Sequence, residues 1–133
     1  MALKYSEKVM NHFLYPRNMG EIENADVEVI EGNIKCGDQI QVQLKVNPET
    51  KVVEDIKFKS FGCASNIATA SVVTEIAKGK TLKEAKKIKW KDVSDKLGGL
   101  PKIKEHCSIL AVETLMKAIK EYESKWKYFL KQN

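Results

Sequence analysis

The chain has 133 residues, 43% of them apolar, and a formal net charge of +5 at neutral pH. That length and apolar content suffice for one hydrophobic core, so residues 1–133 are predicted to form a single domain. No apolar run reaches the roughly eighteen residues of a membrane-spanning helix, and the N-terminus lacks the apolar stretch of a secretory signal, so a cytoplasmic protein without membrane contact is expected.

The basic excess is almost wholly lysine, since Arg17 is the only arginine. Nucleic-acid-binding proteins depend on bidentate and stacking contacts of arginine that lysine does not make, so no nucleic-acid partner is expected. Many lysines adjoin acidic residues, as in Lys83-Glu84, a pattern typical of a solvated surface. A basic face that attracts an acidic protein is the alternative.

The first half of the chain predicts one helix followed by three strands. Apolar residues recur at helical spacing from Tyr5 to Leu14, with Ser6 placed to start the helix and Pro16 to end it. The predicted strands are Val27–Ile30, Ile40–Val46 and Val52–Phe61. The short Asn47–Thr50 turn predicts that the second and third strands pair as an antiparallel hairpin.

After Gly62 the periodicity becomes helical. Gly79 ends the first of these helices, Thr81 caps a second, and Pro101 follows a third. The last helix has an apolar seam typical of core packing, made by Leu115, Ile119, Tyr122, Trp126 and Phe129. The predicted fold class is therefore α+β, with a small three-stranded antiparallel sheet, helices packed on one face and a long C-terminal helix.

The three cysteines all fall at junctions between predicted elements. Cys36 precedes the second strand, Cys63 follows the third strand, and Cys107 opens the last helix. A single cysteine at such a place is most often a buried apolar filler. Three at element ends, two of them beside a glycine, instead suggest ligands of a common group. Because Cys63 and Cys107 lie near helix N-termini, we expect their thiol pKa values to be lowered.

Asp38 and His106 lie beside these cysteines in the chain. Taken alone, each has an ordinary structural explanation, Asp38 as a turn residue and His106 as a helix-start residue. His12, in the first helix, is expected to be structural. Three cysteines with one oxygen or nitrogen ligand suit either a tetrahedral zinc ion or an iron–sulfur core, and the donor set does not separate the two. A carboxylate is a weakly held partner for iron, which favours release over storage.

Five segments together resemble the IscU/NifU-type family of iron–sulfur cluster assembly scaffolds, nearly from end to end. They are Tyr5-Ser6-Glu7-Lys8-Val9, Pro16-Arg17-Asn18-Met19-Gly20, Cys36-Gly37-Asp38, Phe61-Gly62-Cys63-Ala64 and His106-Cys107-Ser108-Ile109-Leu110-Ala111. The resemblance implies an IscU/SufE-like fold and a scaffold that is not an enzyme. It implies assembly of a cluster, [2Fe-2S] above all, from iron and desulfurase-derived sulfur, followed by transfer to apo-proteins.

The resemblance also implies roles for individual residues. Cys36, Cys63 and Cys107 would bind iron, with Asp38 or His106 as the fourth ligand. Cys107 would be the first acceptor of persulfide sulfur from a cysteine desulfurase, and Asp38 would keep the cluster labile enough to leave. An electron donor, an iron donor and apo iron–sulfur acceptor proteins would be the other partners, and the isolated protein could carry zinc.

Two departures from the family's patterns matter. The segment Leu100-Pro101-Lys102-Ile103-Lys104 lacks the second proline of the family's usual chaperone-recognition sequence, which counts against a DnaK-type chaperone as partner. The alternative function is that of a zinc-bound, SufU-like sulfur acceptor, a sulfurtransferase. Such proteins resemble this chain but usually carry an insertion between the last two cysteines and lack the histidine. Here 43 residues separate Cys63 from Cys107 and His106 is present, which favours the scaffold.

Overall fold

The computed structural model describes residues 5–33, 35 and 37–132, with side chains as far as residue 128. The helices are α1 (Glu7–Leu14), α2 (Ala64–Ala77), α3 (Leu82–Ala85), α4 (Trp90–Lys96) and α5 (Glu105–Gln132), and the strands are β1 (Val27–Asn33), β2 (Asp38–Val46) and β3 (Val53–Phe61). A short 3₁₀ helix, Lys102–Lys104, leads into α5. The predicted α+β fold class is confirmed.

The three strands form one antiparallel sheet in the order β1-β2-β3. Val42 in the middle strand lies opposite Val29 on one side and Phe58 on the other. All three side chains are buried, because alternate residues of a strand point to the same face. The residues between them, such as Gln41 and Gln43, are partly exposed, so the sheet has one apolar face and one polar face.

Helices α2 and α5 lie against the apolar face, and α1 packs on α2. Because α2 lies between the sheet, α1 and α5, it is buried on nearly every side. Five small polar residues of α2 are wholly buried: Ser65, Asn66, Thr69, Ser71 and Thr74. Such groups are stable inside a protein only when they are hydrogen-bonded. The hydrogen bonds that these five residues make therefore show which neighbouring elements are joined to α2.

Ser71 ties α2 to α1 and to the turn that follows. Its hydroxyl oxygen lies 2.8 Å from Nδ1 of His12 and accepts a hydrogen bond from the backbone N–H of Arg17 at 2.9 Å. Burial and the nearby Arg17 cation lower the pKa of His12. His12 is thus a neutral packing residue, in agreement with the structural role expected for it.

The apolar seam of α5 lies in the core for most of its length. Leu115, Ile119 and Tyr122 are buried and Trp126 is partly buried, whereas the side chain of Phe129 falls outside the described residues. One face of Trp126 is covered by Lys51, whose Nζ lies 3.4 Å from the ring centroid. In the part of the chain that the structure describes, no helix combines the length and apolarity needed to cross a membrane.

Candidate metal centre

Four of the five predicted site residues meet at one end of the sheet. Asp38 begins β2, and Cys63 is the N-cap of α2, two residues after the end of β3. His106 and Cys107 lie in the first turn of α5. The β2–β3 register pairs Gln39 with Phe61, which brings Asp38 next to the segment that carries Cys63. The helix starts and the strand ends therefore converge, as the junction positions predict.

The distances among these side chains suit a single metal ion. The sulfur of Cys63 lies 4.0 Å from Cys107 Sγ and 4.0 Å from Asp38 Oδ1. Nε2 of His106 lies 3.0 Å from Asp38 Oδ2 and 3.6 Å from Cys107 Sγ. Ligand atoms bound at about 2.0–2.3 Å to one tetrahedral metal lie about 3.3–3.8 Å apart. Small side-chain adjustments would thus bring these atoms into one coordination shell.

A backbone carbonyl orients His106. Its Nδ1–H donates to the carbonyl oxygen of Ile103 at 3.0 Å, which leaves Nε2 turned toward Asp38 and Cys107. In metal sites the ligating histidine commonly donates its other ring N–H to such an acceptor, which fixes both the tautomer and the ring orientation. His106 is therefore already held in the orientation that a ligand through Nε2 requires.

Cys36, the fifth predicted site residue, lies outside the described residues, and its role as a ligand stays a prediction. Its neighbour Gly37 has a φ of +90°, a left-handed conformation that favours glycine. Gly62 is needed for a different reason, because a Cβ there would lie 2.6 Å from Asp38 Oδ1 and 2.6 Å from Asn66 Nδ2. Both glycines that adjoin cysteines thus allow backbone paths that another residue would strain.

The electrostatics of the two described cysteines differ. Burial acts to raise the pKa of Cys63, but hydrogen bonds from Ser65 and from the backbone of Asn66, together with the Lys104 cation, outweigh it and leave the pKa lowered. Cys107 is wholly buried, and that burial raises its pKa to about 12. The expectation of a lowered pKa is supported for Cys63 and wrong for Cys107. Loss of hydration outweighs the favourable helix N-terminus there.

Sequence reasoning gave no role to Ser65, although its hydroxyl lies between the two sulfurs. Ser65 Oγ is 3.0 Å from Cys63 Sγ and 3.2 Å from Cys107 Sγ, and the side chain is wholly buried. A hydroxyl has one hydrogen to donate, so it can donate to only one of the two sulfurs at a time. The signal in the sequence was the run of small polar residues along α2, which is unusual for a helix with one solvent-facing side.

Comparison with known proteins gives consistent matches. The family model described as NifU-like N terminal domain matches residues 4–128. The iron–sulfur cluster assembly scaffold protein IscU of Aquifex aeolicus is 49% identical over 122 residues, which cover 92% of this chain and 78% of that protein. The protein of the same name from Escherichia coli strain K12 is 47% identical over 126 residues, which cover 92% of this chain and 97% of that protein.

A solved structure matches the fold as well. The N-terminal part of a nitrogen-fixing NifU-like protein from Brucella abortus superimposes with a TM-score of 0.70, covering 90% of this chain and 94% of the other. The two chains are 19% identical. At that identity the likeness concerns the arrangement of helices and strands alone.

The contrast between the two cysteines predicts their reactivity. In the reduced, metal-free protein, iodoacetamide should alkylate Cys63 faster than Cys107, because a lowered pKa and partial exposure both raise the amount of accessible thiolate. Peptide mass spectrometry over a time course measures both rates, and the rate at Cys63 should reach its plateau at a lower pH than that of a free cysteine. The urea-unfolded chain, in which both thiols are accessible, is the control. Faster labelling of Cys107 in the folded protein would contradict the assignment.

Proposed function

Because the chain belongs to the NifU-like N-terminal domain family, we propose that it is a scaffold on which an iron–sulfur cluster is assembled and from which the cluster passes to other proteins. Residues 1–133 act in this proposal as one domain. The chain supplies ligands and geometry, and it is not an enzyme. Support comes from relatives at 47–49% identity that are named as such scaffolds.

The observation that carries the proposal is the group formed by Asp38, His106 and Cys107, whose ligand atoms all lie within 4.8 Å of one another, with Cys63 adjoining it. In the proposed arrangement Cys36, Cys63 and Cys107 hold iron through thiolates. Asp38 or His106 completes the shell. Three thiolates and one oxygen or nitrogen ligand match the chemistry of a [2Fe-2S] cluster, which we propose as the cargo.

The uneven burial of the ligands favours release. The Cys107 side chain is enclosed, whereas the side chain of His106 is 53% exposed and that of Asp38 is 18% exposed. The more accessible ligand atoms, His106 Nε2 and Asp38 Oδ2, lie 3.0 Å apart, so one can take the other's place on the metal with a small movement. A carboxylate is also a poorer partner for iron than a thiolate. The cluster would therefore leave from the Asp38 and His106 side.

Sulfur reaches the site, in this proposal, as a persulfide on a cysteine desulfurase. The sulfur of Cys107 attacks the outer persulfide sulfur, the donor's S–S bond breaks, and the proton of the Cys107 thiol ends on the departing donor cysteine. Because Cys107 is buried, the first turn of α5 must open when the donor docks. Reducing each transferred sulfur to sulfide takes two electrons, so an electron donor is a proposed partner, as are an iron donor and apo-acceptor proteins.

The cytoplasm is the proposed location, because thiols that must act as ligands require a reducing compartment. Zinc is proposed as an alternative occupant of the same ligands in the isolated protein, since thiolate and imidazole are its usual partners. A DnaK-type chaperone is not proposed as a partner. The segment that such a chaperone would bind, Leu100-Pro101-Lys102-Ile103-Lys104, lacks the second proline of the family's usual sequence.

Anaerobic reconstitution with iron and sulfide tests the scaffold function directly. The wild-type protein should develop the visible sulfur-to-iron charge-transfer bands of a cluster, and Cys63→Ala should lose them because one of the thiolates is gone. Ser71→Ala, which alters a buried hydroxyl of the same helix remote from the cysteines, serves as the control and should keep the bands. A colourless wild-type protein that retains one zinc ion would instead support the zinc-bound sulfur acceptor.

Asp38 can be tested through cluster transfer. Asp38→Ala should slow the loss of a preformed cluster to an apo-ferredoxin, because the weakly held oxygen ligand that permits ligand exchange is removed. The decay of the donor's absorption spectrum and the gain of the acceptor's spectrum measure the rate. Asp55→Ala, which alters a carboxylate on β3 paired with Lys78, is the matched control. Equal transfer rates for wild type and Asp38→Ala would remove Asp38 from the release step.

The sulfur acceptor can be mapped after incubation with a cysteine desulfurase and free cysteine. Peptide mass spectrometry should find the added sulfur on Cys107, and Cys107→Ala should abolish capture while Cys36→Ala retains part of it. This preference for Cys107 is the reverse of the one expected for iodoacetamide, which should alkylate Cys63 faster. The reason is that only a docked donor protein moves the first turn of α5 and exposes Cys107. Added sulfur found chiefly on Cys36 or Cys63 would overturn the assignment.

A further inference from the structure

Asn66 of α2 is joined to both strand ends that carry the candidate metal centre. Its Nδ2 lies 2.7 Å from Ser60 Oγ, 3.2 Å from the carbonyl oxygen of Phe61 and 3.3 Å from that of Gln39. Gln39 adjoins Asp38, and Phe61 lies two residues before Cys63. One side-chain amide thus holds the start of β2 and the end of β3 against the first turn of α2.

The side-chain amide of Asn66 is satisfied on its N–H side and unsatisfied on its oxygen side. Asn66 is wholly buried, its two N–H groups face three acceptors, and its Oδ1 has no hydrogen-bond partner among residues 5–33, 35 and 37–132. A buried acceptor without a partner is destabilising. An apolar residue of the same size would avoid that cost but would remove the donor to three acceptors at the ends of β2 and β3, so the amide group is what joins these strand ends to α2.

The contact with Gly62 indicates what the amide controls. A Cβ atom placed on Gly62 would lie 2.6 Å from Asn66 Nδ2 and 2.6 Å from Asp38 Oδ1. The amide of Asn66 and the carboxylate of Asp38 therefore both pack against the same face of this glycine. The backbone N–H of Asn66 also hydrogen-bonds to Cys63. Asn66 therefore contacts the backbone segments that carry both Asp38, an oxygen ligand, and Cys63, a sulfur ligand.

We propose that Asn66 is a positioning residue that sets the separation of Asp38 from Cys63, and so the metal affinity and coordination geometry of the site. The inference rests on the proposed function in taking these two residues as ligands. Without the amide, the ends of β2 and β3 separate from α2, and the carboxylate is no longer held beside the sulfur. Groups that orient ligands without touching the metal commonly change metal affinity by about 10–100-fold.

Anaerobic titration with Co²⁺ alone tests the proposal. Asn66→Ala and the nearly isosteric Asn66→Leu should each weaken Co²⁺ binding by about tenfold or more and alter the visible d–d bands, which report coordination geometry. Ser71→Ala is the matched control, because it removes a wholly buried, hydrogen-bonded side chain of the same helix. It should lower the melting temperature without changing affinity or spectrum. Asn66 variants with wild-type affinity and d–d bands would overturn the proposal.

A second variant covers the case in which the Asn66 variants fail to fold. Ser60→Ala removes the acceptor of the shortest hydrogen bond and leaves the amide in place, so it should weaken Co²⁺ binding in the same direction by a smaller factor. Wild-type binding by Ser60→Ala would then count against the proposal. Amide hydrogen exchange at Gly62 and Cys63 in the metal-free variants adds a readout without metal, and it should be faster than in Ser71→Ala.

The outcomes separate this inference from the scaffold function. A wild-type protein that binds Co²⁺ but forms no cluster with iron and sulfide would refute the scaffold function, and the comparison of Asn66 variants would still hold. A wild-type protein that forms the cluster, alongside Asn66 variants indistinguishable from it in Co²⁺ binding, would refute only the positioning role.

Discussion

The candidate metal centre depends on the register between β2 and β3. Pairing of Gln39 with Phe61 puts Asp38 at the point where β3 turns into α2, within 4.0 Å of the Cys63 sulfur. Because side chains alternate along a strand, a slip of one residue would turn Asp38 to the opposite face and expose the apolar residues of β2. The buried side chains of Ile40, Val42 and Leu44 therefore fix the site as well as the core.

The two described cysteines differ in how accessible they are to solvent. Cys107 is enclosed by the core and Cys63 is half-buried, yet their sulfurs are 4.0 Å apart and share the Ser65 hydroxyl. In the proposed function, a site enclosed on one side and open on the Asp38 and His106 side would let metal and sulfur enter without unfolding of the sheet. In that proposal the buried Cys107 thiol reacts only after the start of α5 has moved.

Much of the fold could be predicted from the sequence, because local patterns agree with the final packing. The alternation from Ile40 to Val46 and the Asn47–Thr50 turn predict the hairpin that is observed. The site could be predicted as a set of junction residues, but not as distances. The high pKa of Cys107 depends on how α5 meets the sheet, and the tether at Asn66 depends on the near-complete burial of α2. Both follow from tertiary packing, which periodicity does not encode.

In the proposed function, side chains from separate segments converge on one metal-binding site, and NMR of the protein loaded with an NMR-active cadmium isotope tests this convergence most directly. Through-bond coupling to a spin-active metal identifies each ligand, and thiolates bind this soft ion well. The account predicts one cadmium resonance coupled to the β protons of both Cys63 and Cys107. Cadmium coupled to one of these cysteines alone, or two separate resonances each coupled to a different cysteine, would contradict it.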